Sequence, residues 1–225
     1  MATILLQARL GSTRLPGKAM KTIMGKPMLH YTVETLKRSP AADRIVMVIP
    51  TNPKDDTLVD FAEEEGIHWF RGSEENVLER FYRASLRFKD DYYFRATGDN
   101  PVLDYGNPQR LLDALVKYTC DYTAERGMPP GSVVEAFTFD ALERCFKEAV
   151  KKDDKEHVTL YIKKSGRFNV RFIEAPPGYR YPKLRLTVDY PGDFQRAASI
   201  IESLYIDGVP PFKDVIDLSK KNGWI

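Results

Sequence analysis

The sequence predicts an α/β fold: a mostly parallel sheet with helices on both faces. Three observations point there. Short apolar runs alternate with stretches of helical period through the first half of the chain, and strand–helix–strand repetition produces parallel pairing with helical cover. The runs Ile4-Leu5-Leu6 and Ile45-Val46-Met47-Val48-Ile49 contain no polar residue, as strands buried on both faces require. Breakers stand where the helical segments should end, at Ser39-Pro40 and Gly66.

In chain order, residues 3–6 are expected to form the first strand. Residues 27–38 place Leu29, Val33 and Leu36 on one helical face and stop at Ser39-Pro40. Residues 45–49 form a second buried strand. Asp55-Asp56 opens a helix to about residue 65, and Gly66 closes it. Residues 68–70 are a short strand. Residues 75–88 are a helix, with Val77, Phe81, Ala84 and Phe88 at helical spacing. Residues 92–94 are a strand ending at Arg95. Asn107 reads as an N-cap with Pro108 in the first turn of a helix to about residue 117. After residue 120 the pattern changes. Residues 133–139 read as a strand, followed by helices near 140–151 and 154–163. Residues 168–173 and 184–188 flank Pro176-Pro177-Gly178-Tyr179-Arg180-Tyr181-Pro182, which suggests a long hairpin or a projecting pair of strands. Residues 192–206 and 212–221 are helical. With no repeat or linker, residues 1–225 are expected to form one domain.

Composition excludes several function classes. The 225 residues carry Lys+Arg 34 against Asp+Glu 32, a net charge of +2, too little for a nucleic-acid coat or a membrane-surface protein. With 43% hydrophobic and 29% charged residues the chain is of ordinary globular type. No apolar run approaches the ~20 residues of a membrane span, and with a strand expected at the N-terminus no signal peptide is expected. Cys120 and Cys145 form no Cys-x-x-Cys and are expected to be reduced packing residues of a cytoplasmic protein.

The segment following the first strand, Gln7-Ala8-Arg9-Leu10-Gly11-Ser12-Thr13-Arg14-Leu15-Pro16-Gly17-Lys18, is the most informative. Glycine permits close backbone approach to a ligand, and successive N–H groups can cradle an anion. Arg9, Arg14 and Lys18 supply charge to the same anion. Residues 1–33 carry five Lys or Arg and no Asp or Glu, so the remainder has 29 cations and 32 anions, a net of −3. Positive charge is therefore concentrated at this loop. It is not a Walker A motif, because five residues separate Gly11 from Gly17 and Ala19 follows Lys18. Any metal must be held elsewhere. Asp99 and Asp189 each follow an apolar run, in Thr-Gly-Asp-Asn-Pro and Val-Asp-Tyr-Pro-Gly. Strand ends converge on the ligand crevice of such a sheet. Two carboxylates there would hold Mg²⁺ against a triphosphate, or each would merely cap its turn.

The loop resembles the nucleotide-binding loop of the cytidylyltransferases, which activate sugar acids as CMP derivatives. The likeness extends through Arg95-Ala96-Thr97-Gly98-Asp99-Asn100-Pro101, Glu156-His157-Val158-Thr159 and Leu186-Thr187-Val188-Asp189. It is strongest to the spore-coat polysaccharide biosynthesis branch, with the CMP-sialate and CMP-KDO synthetases as relatives. The resemblance implies a Rossmann-like, mixed and mostly parallel sheet of the glycosyltransferase-A-like (GT-A-like) nucleotide-diphospho-sugar transferase fold. It divides the chain into a nucleotide-binding half (about 1–118), an acceptor-binding and dimerisation part (about 119–190) and C-terminal helices (191–225).

It further implies transfer of CMP from CTP to a small acidic acceptor, with Mg²⁺ on Asp99 and Asp189, in surface polysaccharide biosynthesis. Gln7, Ala8, Arg9, Gly11, Ser12, Thr13, Arg14, Lys18 and Arg71 would bind the nucleotide. Arg14, Lys18, Asp99 and Asp189 would carry the chemistry. Arg95, Glu135, Glu156 and His157 would face the acceptor; His157 is either a structural imidazole or a proton shuttle. A homodimer through the strands around 168–188 is expected. Two features depart from the relatives. Asn100 stands where the CMP-KDO branch has an acid, and residues 129–135 lack an aspartate that many spore-coat-type members carry. Two other classes compete: a glycosyltransferase using a ready-made nucleotide sugar, and a non-catalytic nucleotide-binding subunit.

Overall fold

The computed structural model describes residues 1–225. The first strand, β1 (Ala2–Gln7), is buried along nearly its whole length, and its side chains alternate between two cores. Ile4 and Leu6 meet α1 (Met28–Lys37), α2 (Asp56–Glu64) and α4 (Asn107–Tyr118) through Leu29, Val33, Phe61 and Leu111. Leu5 turns to the opposite face, against α3 (Val77–Arg87), α5 (Phe139–Glu148) and α7 (Leu160–Lys164) through Phe81, Leu142 and Ile162. Two-sided burial explains the uninterrupted apolar runs. Each such leucine contributes roughly 2 kcal/mol by leaving water.

After β1, the short hairpin β2 (Thr22–Ile23) and β3 (Lys26–Pro27) leads into α1. The main sheet adds β4 (Arg44–Pro50), β5 (His68–Gly72), β6 (Tyr92–Thr97), β7 (Tyr122–Arg126), β8 (Glu135–Thr138) and β9 (Val170–Glu174). Its order is β5-β4-β1-β6-β8-β7-β9. Only β8 pairs antiparallel with its neighbours; the other pairs are parallel. The carboxyl ends of β1, β4, β5 and β6 therefore share one edge. A third core joins Leu184, Leu186 and Val188 to α8 (Pro191–Leu204) and α9 (Phe212–Lys221). No helix is long and apolar enough to cross a membrane.

Several expectations are corrected. Residues 184–188 form no ladder strand. Leu186 and Thr187 donate to the Pro130 carbonyl and Val188 donates to that of Asp99, so the segment is pinned to two loops. No projecting hairpin exists either. β9 is an edge strand of the main sheet, and Tyr179 and Tyr181 pack into the third core around a short turn, Pro177–Tyr179. The surface argument for a dimer falls with the hairpin. The helix expected over 154–163 is two short helices, α6 (Lys152–Glu156) and α7. Between them buried Val158 has φ 48°, a left-handed conformation that a helix cannot pass through. Glu156 thus ends a helix instead of beginning one. Asn107 is not a cap. Its buried side chain accepts the Val134 N–H at 2.9 Å, which ties α4 to β8. Arg95 lies inside β6 and not at its end, because pairing with β1 continues to Thr97. β7 went unread, its sequence Tyr-Thr-Ala-Glu-Arg having little apolar character.

Candidate active site

The loop following β1 is shaped by its own short hydrogen bonds. Ser12 donates its N–H to the Leu10 carbonyl at 2.8 Å, and Leu10 donates to Asp55 Oδ1 at 2.6 Å. Gly17 takes φ 64°, the left-handed conformation natural to glycine, and hands the chain to the turn Lys18–Met20. The N–H groups of Gly11, Thr13 and Arg14 enter no hydrogen bond within the chain. Free N–H groups on one loop can cradle an anion.

Lys18 reaches across the sheet edge. Its Nζ donates to Asp99 Oδ2 at 3.0 Å, to Asp189 Oδ1 at 3.1 Å and to the Val188 carbonyl at 2.6 Å. Arg14 Nη2 donates to Asp189 Oδ1 at 2.7 Å, and its guanidinium lies 5.3 Å from the Tyr190 ring centroid. Burial pushes the Asp189 carboxyl up, but Lys18, Arg14 and Arg185 more than offset this and hold it below the usual carboxylate range. Gly131 presses the acceptor-side loop onto the segment carrying Asp189. Its φ is +90°, and a Cβ there would lie 2.2 Å from the Thr187 nitrogen.

These residues line a cavity of about 620 Å³ whose 17 wall residues include only two hydrophobic ones, Ala8 and Ala19. Arg9, Arg14, Lys18 and Arg95 bring four positive charges and Asp99 and Asp189 two negative ones, a net of +2. Such a site draws a polyanion and retains acids to hold a divalent cation. The donor set suits Mg²⁺. It offers hard carboxylate oxygens from two elements, and they already converge on one cation, the Lys18 ammonium.

The structure brings together Gln7, Ala8, Arg9, Gly11, Ser12, Thr13, Arg14, Lys18, Arg95, Asp99 and Asp189 around this cavity. Other expected residues lie elsewhere. Arg71 is outside the wall. Its guanidinium donates to the Pro50 and Asn52 carbonyls and to Asp56, clamping the turn between β4 and α2. Glu135 stands behind Arg95. It accepts from Arg95 Nη1 at 3.1 Å, Tyr122 at 2.6 Å, Thr159 at 2.8 Å and Lys163 at 2.6 Å. Burial raises its carboxyl, but Arg95 and Lys163 win and bring it down to about 2. Glu156 borders a separate cavity of about 570 Å³ that shares Arg9 with the first. His157 is exposed at the end of α6, outside both walls.

Sequence reasoning missed Asp55, the acid that fixes Leu10, because Asp55-Asp56 looked like a helix start. It also missed Arg185 and Asp193, which grip Asp189 from four residues on either side. That symmetric spacing of a cation and an acid about Asp189 was an available signal. A further cation, Arg80, sits on α3. It is fully buried, and burial lowers its guanidinium to about 10. One arm donates to the Ser73 carbonyl, while Nε and Nη2 have no partner.

Comparison with known proteins identifies the family. The profile of the family described as cytidylyltransferase matches residues 3–216. An uncharacterized protein from Methanocaldococcus jannaschii is 34% identical, over 97% of this chain and 90% of that protein. The spore coat polysaccharide biosynthesis protein SpsF from Bacillus subtilis is 36% identical, over 89% of this chain and 85% of its own length. A cytidylyltransferase structure from Leptospira borgpetersenii superimposes with a TM-score of 0.87 at 28% identity, covering 99% of this chain and 94% of that one.

Proposed function

The chain belongs to the cytidylyltransferase family, and from that membership we propose that it transfers CMP from CTP to a sugar acid in surface polysaccharide biosynthesis, releasing pyrophosphate. The observation that carries this reading is the convergence of Lys18 on both Asp99 and Asp189 beside a loop with free N–H groups. An acceptor oxygen attacks the α-phosphorus, and the bond to the departing pyrophosphate breaks. Transfer of this kind depends mainly on positioning and charge stabilisation.

The N–H groups of Gly11, Thr13 and Arg14 receive phosphate oxygens. Arg14 and Lys18 exchange their carboxylate partners for the charge gathering on the leaving pyrophosphate. Asp99 and Asp189 would hold Mg²⁺, which supplies Lewis-acid polarisation of the phosphoryl group. Gln7, Ala8 and Arg9 line the nucleoside side. Gln7 Oε1 accepts from Arg95 Nη2 at 3.2 Å. Arg95, pinned between Gln7 and Glu135, stands in the cavity wall, where its guanidinium would meet the acid group of the acceptor. Glu135 serves the acceptor side through Arg95. A glycosyltransferase reading is disfavoured, because an Asp-x-Asp type of metal motif would need a second acid two residues from Asp99, where Thr97 and Pro101 stand.

The test is pyrophosphate release with Mg²⁺ and a panel of sugar acids, comparing CTP with ATP, GTP and UTP. CTP should support release with at least one acid and be favoured over the others. Equal or better release with another nucleotide would replace the cytidylyl assignment.

A further inference from the structure

Asp193 is a carboxylate outside the cavity that hydrogen-bonds the segment carrying Asp189. Asp193 lies in the first turn of α8, and its Oδ2 accepts the N–H groups of Asp189 and Tyr190, both at 3.0 Å. Both its oxygens stand 3.3 Å from Arg185 Nε. The other arm of that guanidinium, Nη2, donates to Asp189 Oδ2 at 2.5 Å. Arg196 Nη1 donates to the Arg185 carbonyl at 3.0 Å and ties this segment to α8. Asp193 thus holds the Asp189 main chain directly and its side chain only through Arg185. Asp189 Oδ1 is left facing Lys18 and Arg14.

Resting on the metal role proposed for Asp189, we infer that Asp193 is a positioning residue that divides Arg185 between two carboxylates and keeps Asp189 Oδ1 available to the divalent cation. A guanidinium is a planar fork that grips one carboxylate with two parallel bonds when it can. With Asp193 holding Nε, only Nη2 reaches Asp189. Without the Asp193 charge, the fork turns onto Asp189 and competes with the cation for both oxygens. A simple helix cap would act otherwise: its loss would lower stability and leave cation affinity alone.

The experiment is Mn²⁺ binding to the full chain with CTP present and no acceptor, followed by electron paramagnetic resonance. Asp193→Asn should weaken Mn²⁺ binding about tenfold, the scale for losing a group that orients a metal ligand. Its CTP affinity in EDTA and its far-ultraviolet circular dichroism should stay at the wild-type values. Asp193→Glu, which keeps the charge, should recover most of the loss. So should Arg185→Gln combined with Asp193→Asn, because the competitor is gone. Arg185→Gln alone leaves the cap untouched and should bind Mn²⁺ as tightly as the wild type or more tightly. Two results would overturn the inference alone, provided that Asp189→Asn binds weakly: wild-type Mn²⁺ affinity in a folded Asp193→Asn, or a tenfold loss in Arg185→Gln. An Asp189→Asn variant that binds Mn²⁺ normally would remove the metal reading and this inference with it.

Discussion

At the carboxyl end of β1, four cations and two acids meet in an open cavity. Asp99 there accepts a single side-chain hydrogen bond, from Lys18. At the start of β8, Glu135 accepts from Arg95, Lys163, Tyr122 and Thr159 and borders neither large cavity. The two regions use the same chemistry, carboxylate against Lys or Arg, for different ends. Around Asp99 and Asp189 the pairs face a cavity beside unclaimed N–H groups, so an incoming phosphate can take over the cations. Around Glu135 every partner is another part of the fold, joining β6, β7 and α7. Removing one partner there strands charge in the interior. The first region is arranged for exchange, the second for permanence.

The largest effect should come from the exchangeable side. Asp99→Asn or Asp189→Asn keeps shape and removes one charge. Each should lower turnover by ~10²-fold or more, the scale for losing a main electrostatic stabiliser; the thermal midpoint should stay nearly unchanged in Asp99→Asn and fall in Asp189→Asn, whose carboxylate Lys18, Arg14 and Arg185 share. Near wild-type turnover at low Mg²⁺ would make these residues turn caps and erase the contrast.

Glu135→Gln should act on stability. The Glu135 carboxyl sits at about 2 in the fold against an ordinary 4.5, a difference worth about 3 kcal/mol. A depressed carboxyl stabilises fully above its unfolded value, and the benefit disappears as pH falls from 4.5 toward 2. In urea unfolding, the variant should therefore lag the wild type at pH 7 and draw level as the solution is acidified through that window. A gap of equal size at pH 7 and pH 3 would show that the ion pairs are not its source.

A smaller effect separates two cations that looked alike in the sequence. Lys18→Ala should weaken CTP binding by about 2 kcal/mol, the scale of a charged hydrogen bond. Arg71→Ala should leave CTP affinity near the wild-type value and cost only stability, because its guanidinium serves the Pro50 and Asn52 carbonyls. Calorimetry giving equal losses for both would return Arg71 to the nucleotide.

The same division governs what the sequence could reveal. The nucleotide loop is contiguous, so residues 7–18 disclose its glycines, hydroxyls and cations together, and the buried strands β1 and β4 announce themselves by unbroken apolar runs. The acceptor side is assembled from distant pieces. Leu184, Leu186 and Val188 alternate as a strand would, yet their neighbours are loops and α8, α9. Glu135 could be picked out, but its four partners lie 13 to 40 residues away. The break at Val158 depends on a left-handed backbone that no propensity marks.

The most direct test of the central claim is a crystal structure with CTP and Mn²⁺. The triphosphate is expected against the N–H groups of Gly11, Thr13 and Arg14 with Lys18 on a phosphate oxygen, and Mn²⁺ bound by Asp99 and Asp189. A nucleotide lying elsewhere, or a metal bound without either aspartate while Lys18 keeps both, would contradict it.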